Sequence, residues 1–129
     1  MHRSMWSMLT SAAVGLALLA FAGPAAADNY PSRPIRLVMP FGAGSASDTI
    51  ARIVGEKLSA QLGQRVLIEN KAGAGGNIGT DAVAKADPDG YTVAFVENSI
   101  TVNPSLHKNL RYDFERDLVP IGLAVRGPT

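Results

Sequence analysis

The chain has 129 residues, with 12 Lys and Arg against 11 Asp and Glu and no cysteine. A formal net charge of +1 provides no electrostatic footprint for nucleic acid or a membrane surface. Without cysteine there is no disulfide framework, thiolate metal site or lipid-modified cysteine, so a domain this small must hold its core by burial alone.

The chain opens with Arg3 ahead of an uncharged apolar run over residues 8–22, and Ala25 and Ala27 then form an A-x-A site just before Asp28. This is the pattern of a secretory signal peptide over residues 1–27. The run is shorter than the roughly 20 residues that span a bilayer. Cleavage would remove only Arg3 among the Lys, Arg, Asp and Glu residues, leaving residues 28–129 with basic and acidic residues equal in number. An exported, bacterial periplasmic protein is expected.

After a Pro-punctuated entry, residues 35–39 (IRLVM) read as a first strand. Gly42 and Gly44 make a turn, and Ser45 with Asp48 has the S-x-x-D form of a capping box. Ile50, Ile53, Val54, Leu58 and Leu62 follow at helical spacing, and Gly63 is a C-terminal stop. Residues 65–69 form a second strand, continuously apolar at its centre as buried parallel strands are. A second glycine turn leads into a helix over residues 78–86, and Asp87-Pro-Asp-Gly90 supplies a type I turn.

Residues 91–96 form a third strand and residues 98–103 a polar loop. Pro104 suits the first turn of a short helix, a further helix fits residues 114–118, and residues 119–125 read as a fourth strand. The order β-α-β-α-β-α-β predicts an α/β fold with a doubly wound, mostly parallel sheet. A strand so close to Thr129 leaves its faces uncovered, so the chain is expected to be an N-terminal fragment.

Two segments carry the functional signal: RLVMPFGAGSASD at 36–48 and VLIENKAGAGGNIG at 66–79. Each passes from a strand through glycines into a helix, exposing unpaired backbone N–H groups at a positive helix end, a site for a carboxylate or phosphate. Both turns and the 98–103 loop follow strands, so they gather at the carboxyl edge of the sheet, where such folds bind ligands.

Other chemistries fit poorly. The spacing at Gly73, Gly75, Gly76 and Gly79 is not the dinucleotide fingerprint, and no Walker lysine follows either turn. His107 is the sole histidine after residue 27, which excludes a multi-histidine metal site, and no serine lies in a G-x-S-x-G elbow. Asp48 reads first as a cap and second as a ligand contact, and Asn70 equally as a brace of the turn and a ligand contact. Asp113, Glu115, Arg116 and Asp117 read as a solvated helix face.

YPSRPIRLVMPF at 30–41, Gly44 and Asp48, ENKAGAGGNIG at 69–79, DGYT at 89–92 and NPS at 103–105 occur in order. Together they resemble the periplasmic substrate-binding proteins of tripartite tricarboxylate transporters, the Bug or TctC-like family. The resemblance implies a periplasmic binding protein-like fold of type II, a two-lobed Venus flytrap of which residues 28–129 hold most of one lobe.

It further implies a monomer that is not an enzyme, needs no cofactor, metal or nucleic acid, and delivers a small carboxylate to membrane permease subunits. The ligand positions it implies are Phe41, Ala43, Gly44 and Asp48 in the first turn, Asn70, Gly73, Ala74, Gly75 and Gly76 in the second, and Ser99 and Asn103 beyond the third strand. Glu97 departs from the small residues frequent there, and would repel an anionic ligand unless it points away or meets a cation. A non-binding remnant of the family, or a nucleotide-using or hydrolytic α/β enzyme, is the alternative.

Overall fold

A computed structural model describes residues 29–126; the expected signal peptide at residues 1–27 lies outside them. Three strands, β1 (Ile35–Met39), β2 (Val66–Asn70) and β3 (Thr92–Ala94), form a parallel sheet in the order β2-β1-β3. Helix α1 (Ala46–Leu62) connects β1 to β2, and α2 (Asn77–Ala84), preceded by a 3-10 turn at Ala74–Gly76, connects β2 to β3. Two short helices follow, α3 (Ser99–Leu106) and α4 (Phe114–Asp117).

β1 is the structural centre. Ile35 pairs with Val66 and Met39 with Asn70 on one side, while Arg36 pairs with Thr92 and Val38 with Ala94 on the other. Hydrogen bonds just beyond the strands, Lys71 N–H to Met39 O (2.8 Å) and Phe95 N–H to Val38 O (2.9 Å), carry the ladders to the carboxyl edge. Leu37, Val38 and Met39 are all buried, so both faces of the strand are covered. The chain steps one way from β1 to β2 and back across β1 to β3. Right-handed crossovers then place α1 and α2 on opposite faces, which is the doubly wound arrangement.

The core on the α1 face joins Leu37, Met39 and Ala51, with Phe41, Val66, Ile68, Val93 and Phe95 against them. α1 brings Ile50, Val54 and Leu58 of its periodic face half into the core, and its closest approach is through small residues. Ile53 is 55% exposed, whereas Asp48, Ala51 and Gly55 are buried. The small residues let the helix axis come close to β2: a Cβ at Gly55 would lie 2.9 Å from Ile68 Cδ1. On the other face α2 makes a tighter approach, where a Cβ at Gly79 would lie 2.8 Å from Lys71 O and 2.9 Å from Pro40 Cα.

The helix caps follow the sequence. Ser45 Oγ accepts the Asp48 N–H (3.1 Å), and Gly63, at φ 67°, donates its N–H to Ser59 O (3.1 Å). At the opposite, amino edge of the sheet, Tyr30 packs edge-on to Tyr91 with centroids 5.0 Å apart, and Arg33 lies over the Tyr91 ring while pairing with Asp89.

Two expectations are corrected. The 98–103 segment is not a loop but the body of α3, and Pro104 lies inside that helix rather than in its first turn. Ile100 and Asn103, one turn apart, are buried, so tertiary contact overrides weak helix propensity. Residues 119–125 form no strand, because no described strand pairs with them; Val119, Ile121 and Leu123 are exposed.

The two close helix approaches differ in what would have to move. Gly79→Ala meets backbone atoms and is expected to cost about 1–3 kcal/mol. Gly55→Ala meets only the mobile end of Ile68 and gains helix propensity, so it should cost less. Thermal melts of the two variants check this, and equal losses would contradict the packing described.

Candidate functional site

The first glycine turn leaves β1 at Pro40 and is shaped by Asp48, which is buried on the first turn of α1. Its carboxylate does not close the reciprocal half of the capping box on Ser45. It accepts instead from Gly44 N–H (2.9 Å), from Arg52 Nε (3.0 Å) and Nη2 (3.1 Å), and from Asn70 Nδ2 (2.9 Å). Asn70 also donates to Phe41 O (3.1 Å), and its own oxygen accepts from Arg52 Nη2 (3.2 Å). Asn70 ends β2, so this network clamps the end of one strand to the turn after its neighbour.

The Arg52 guanidinium first, then the Gly44 and Asn70 N–H groups, hold the Asp48 carboxyl down at about 2 against the opposing effect of burial. Four N–H contacts favour the charged form over the neutral one.

The second turn is left-handed. Ala74, Gly75 and Gly76 have φ of 48°, 63° and 90° in succession. For Ala74 this is a conformation that L-residues visit at a cost, and such backbone strain clusters at ligand sites. The turn is held from outside by Asn103, whose Nδ2 donates to Gly75 O (3.0 Å) and to Asn77 Oδ1 (2.8 Å). The Tyr112 hydroxyl donates to the same Asn77 oxygen (2.8 Å). Thr80 Oγ1, buried beneath, donates to Gly76 O (2.9 Å).

These parts meet at the carboxyl ends of β1 and β3, the point where the strand order reverses and where doubly wound sheets place ligands. A narrow crevice there is lined by Pro40 and Phe41 from the first turn, Gly75 and Gly76 from the second, Thr80 from α2, Val96 and Glu97 beyond β3, and Ser99, Ile100 and Asn103 from α3. Among the described residues, the N–H groups of Ala43, Ala74 and Gly75 have no intramolecular acceptor, and the first N–H groups of α1 face the same edge.

Phe41, Gly75, Gly76, Ser99 and Asn103 therefore share one crevice, and Ala43 and Ala74 stand exposed on the adjoining turns. Gly44 gives its N–H to Asp48, and Asp48 and Asn70 are engaged with each other and with Arg52. Gly73 accepts the Gly76 N–H and sets the turn.

Sequence reasoning missed Arg52, Thr80, Ile100, Asn77 and Tyr112. The i, i+4 spacing of Asp48 and Arg52 was the available signal for the first, and the i, i+3 pair Ile100 and Asn103 for α3. Nothing local indicates that Tyr112 reaches Asn77, 35 residues away.

A parallel α/β layer with a crevice at its switch point is part of one lobe of a periplasmic binding protein fold. A solved structure of a periplasmic transporter is similar over 65% of this chain and 29% of its own, at 47% identity and a TM-score of 0.61. A TctC solute binding protein from Polaromonas, without ligand, is similar over 62% of this chain and 28% of its own, at 36% identity and a TM-score of 0.58.

The chain belongs to the TctC family, described as the tripartite tricarboxylate transporter family receptor, whose family model matches residues 50–129. A UPF0065 protein of Bordetella bronchiseptica is 50% identical over 86% of this chain and 34% of its own length. The protein BugT of Bordetella pertussis is 40% identical over 93% of this chain and 37% of its own. The chain thus spans about a third of the length of these relatives.

The state of Asp48 gives a pH signature. Its carboxyl sits at about 2 in the fold against an ordinary 3.8. The folded state therefore favours the charged form, and its contribution is present above the ordinary value and lost as pH falls through about 2. Asp48→Asn is expected to be less stable than the parent at neutral pH, with the gap closing between those two values. Urea denaturation of both proteins over that range is the measurement.

Proposed function

We propose that this chain is the part of a periplasmic solute-binding receptor that grips the carboxylate of a small ligand. The observation that carries the reading is the set of backbone N–H groups of Ala43, Ala74 and Gly75, unpaired among the described residues, beside the switch-point crevice of a TctC-family chain. Oriented amides at a helix N-terminus favour an anion without a formal positive charge on the protein. Phe41, Val96 and Ile100 supply an apolar lining that excludes water from the anion and strengthens those hydrogen bonds.

In this reading Asp48, Asn70 and Gly44 position the first turn and make no ligand contact, while Ser99 and Asn103 present the third wall. The protein acts by binding and performs no bond chemistry. Residues 1–27 direct it to the periplasm, it works as a monomer, and it passes its ligand to the permease subunits of a tripartite tricarboxylate-type transporter. Family membership supports each of these assignments, as does the apolar run with its A-x-A site at the N-terminus.

Two glycines of nearly equal backbone geometry make the test specific. Gly75 (φ 63°) lines the crevice, and Gly63 (φ 67°) ends α1 with open space around it. Valine imposes similar strain at both, so Gly63→Val and Gly75→Val are expected to lose comparable thermal stability. Only Gly75→Val should weaken carboxylate binding, by about tenfold or more, or about 1.4 kcal/mol, in calorimetric titrations of the full-length protein with di- and tricarboxylates. Equal binding by the two variants would overturn the amide-pocket reading. A response to nucleotides without a response to carboxylates would overturn the functional one.

A further inference from the structure

The Gly75 carbonyl sets the polarity of a line of side chains that runs outward from the second glycine turn. A carbonyl oxygen can only accept, so Asn103 turns its amide nitrogen toward it (3.0 Å). The same nitrogen reaches Asn77 (2.8 Å), so Asn77 must present its oxygen. That oxygen then takes the Tyr112 hydroxyl (2.8 Å), across 35 residues of chain. Tyr112 and Asn103 are buried and Asn77 is half-buried, so water competes little for these bonds. Asn103 lines the crevice, whereas Tyr112 and Asn77 stand outside it.

The direction of the turn's amides follows from where its carbonyls are held. In a trans peptide the N–H and C=O point opposite ways. The Ala74 carbonyl accepts the Asn77 N–H, which turns the Gly75 N–H to the other side of that peptide, where among the described residues it has no intramolecular acceptor. The Gly75 carbonyl is held by Asn103, which turns the Gly76 N–H toward Gly73 O (3.0 Å). Asn77 thus acts on the turn twice, by its main chain and through its side chain. A turn that keeps Ala74 at φ 48° needs such outside support.

The Tyr112 hydroxyl locks the far end of this line. Without it, nothing else opposes a flip of the Asn77 carboxamide. A flipped Asn77 would set its NH2 against the NH2 of Asn103, donor against donor, and Asn103 would lose its hold on Gly75.

We propose that Tyr112 is a positioning residue for the anion grip: through Asn77 and Asn103 it keeps the second turn in the geometry that offers the Gly75 N–H to the ligand. The inference rests on the carboxylate-binding reading above and adds to it a residue that never touches the ligand.

Tyr112→Phe keeps the ring and removes only the donor, with unchanged circular dichroism as the check on folding. Calorimetric titration of the full-length protein with succinate, glutarate and citrate is expected to show each bound ligand weakened by about three- to tenfold. Asn77→Ala, at a half-buried position, should give a similar loss. The double variant should bind no more weakly than Asn77→Ala alone, because Tyr112 acts through Asn77. In the ligand-free protein, the Asn103 side-chain amide protons should exchange with solvent faster in Tyr112→Phe than in the parent, as followed by NMR.

Unchanged affinity in Tyr112→Phe or in Asn77→Ala would overturn the role of Tyr112 and leave the carboxylate site standing. Additive losses in the double variant would do the same, since they mark a hydroxyl that supports the fold without acting through Asn77. So would unaltered exchange at Asn103. A parent protein that binds no di- or tricarboxylate would bring down the carboxylate reading, and this inference with it.

Discussion

The hydrogen-bonded clamp around Asp48 is the interaction on which the candidate site depends. A buried carboxylate is costly unless its acceptor positions are filled, and here Gly44, Arg52 and Asn70 fill them from the loop, the helix and the neighbouring strand. The same contacts that stabilise the charge fix the relation between the first glycine turn and the end of β2, where the second turn begins. The two glycine turns, which follow different strands, are thus held in one register. Pre-organisation of this kind reduces the ordering cost of binding.

β1 sets the frame for that clamp. It is paired on both edges and covered on both faces, so its carboxyl end has one direction in which to leave the sheet. The reversal of strand order around β1 then opens the crevice between the turns that follow β1 and β3, with α3 as the outer wall. Asn103 completes this wall by holding the left-handed Ala74–Gly76 turn from outside.

Much of this was legible in the sequence because it depends on local chemistry. The strand at Ile35–Met39, the Ser45 cap, the Gly63 stop and the two glycine turns follow from rules that act over a few residues. What was not legible depends on distant partners. SITVNPSL has no strong helical pattern and becomes α3 through burial of Ile100 and Asn103. Apolar alternation over residues 119–125 met no neighbouring strand, so pattern alone did not produce β structure. Asp48 reads as half of a capping box from S-x-x-D, but Arg52 one turn on and Asn70 across the sheet redirect its carboxylate. Residues of the family motifs, Phe41, Gly75, Gly76 and Asn103 among them, line the crevice.

The left-handed Ala74–Gly76 turn also bears on how such a receptor changes over time. A grip made of main-chain N–H groups has no side chain to lose, and only the glycines that permit the turn are constrained by it. In the proposed reading, side chains around the crevice, such as Val96 and Ser99, could change without removing a main-chain donor. A hold built from main chain beside a wall built from side chains would let ligand preference change while the fold stays fixed.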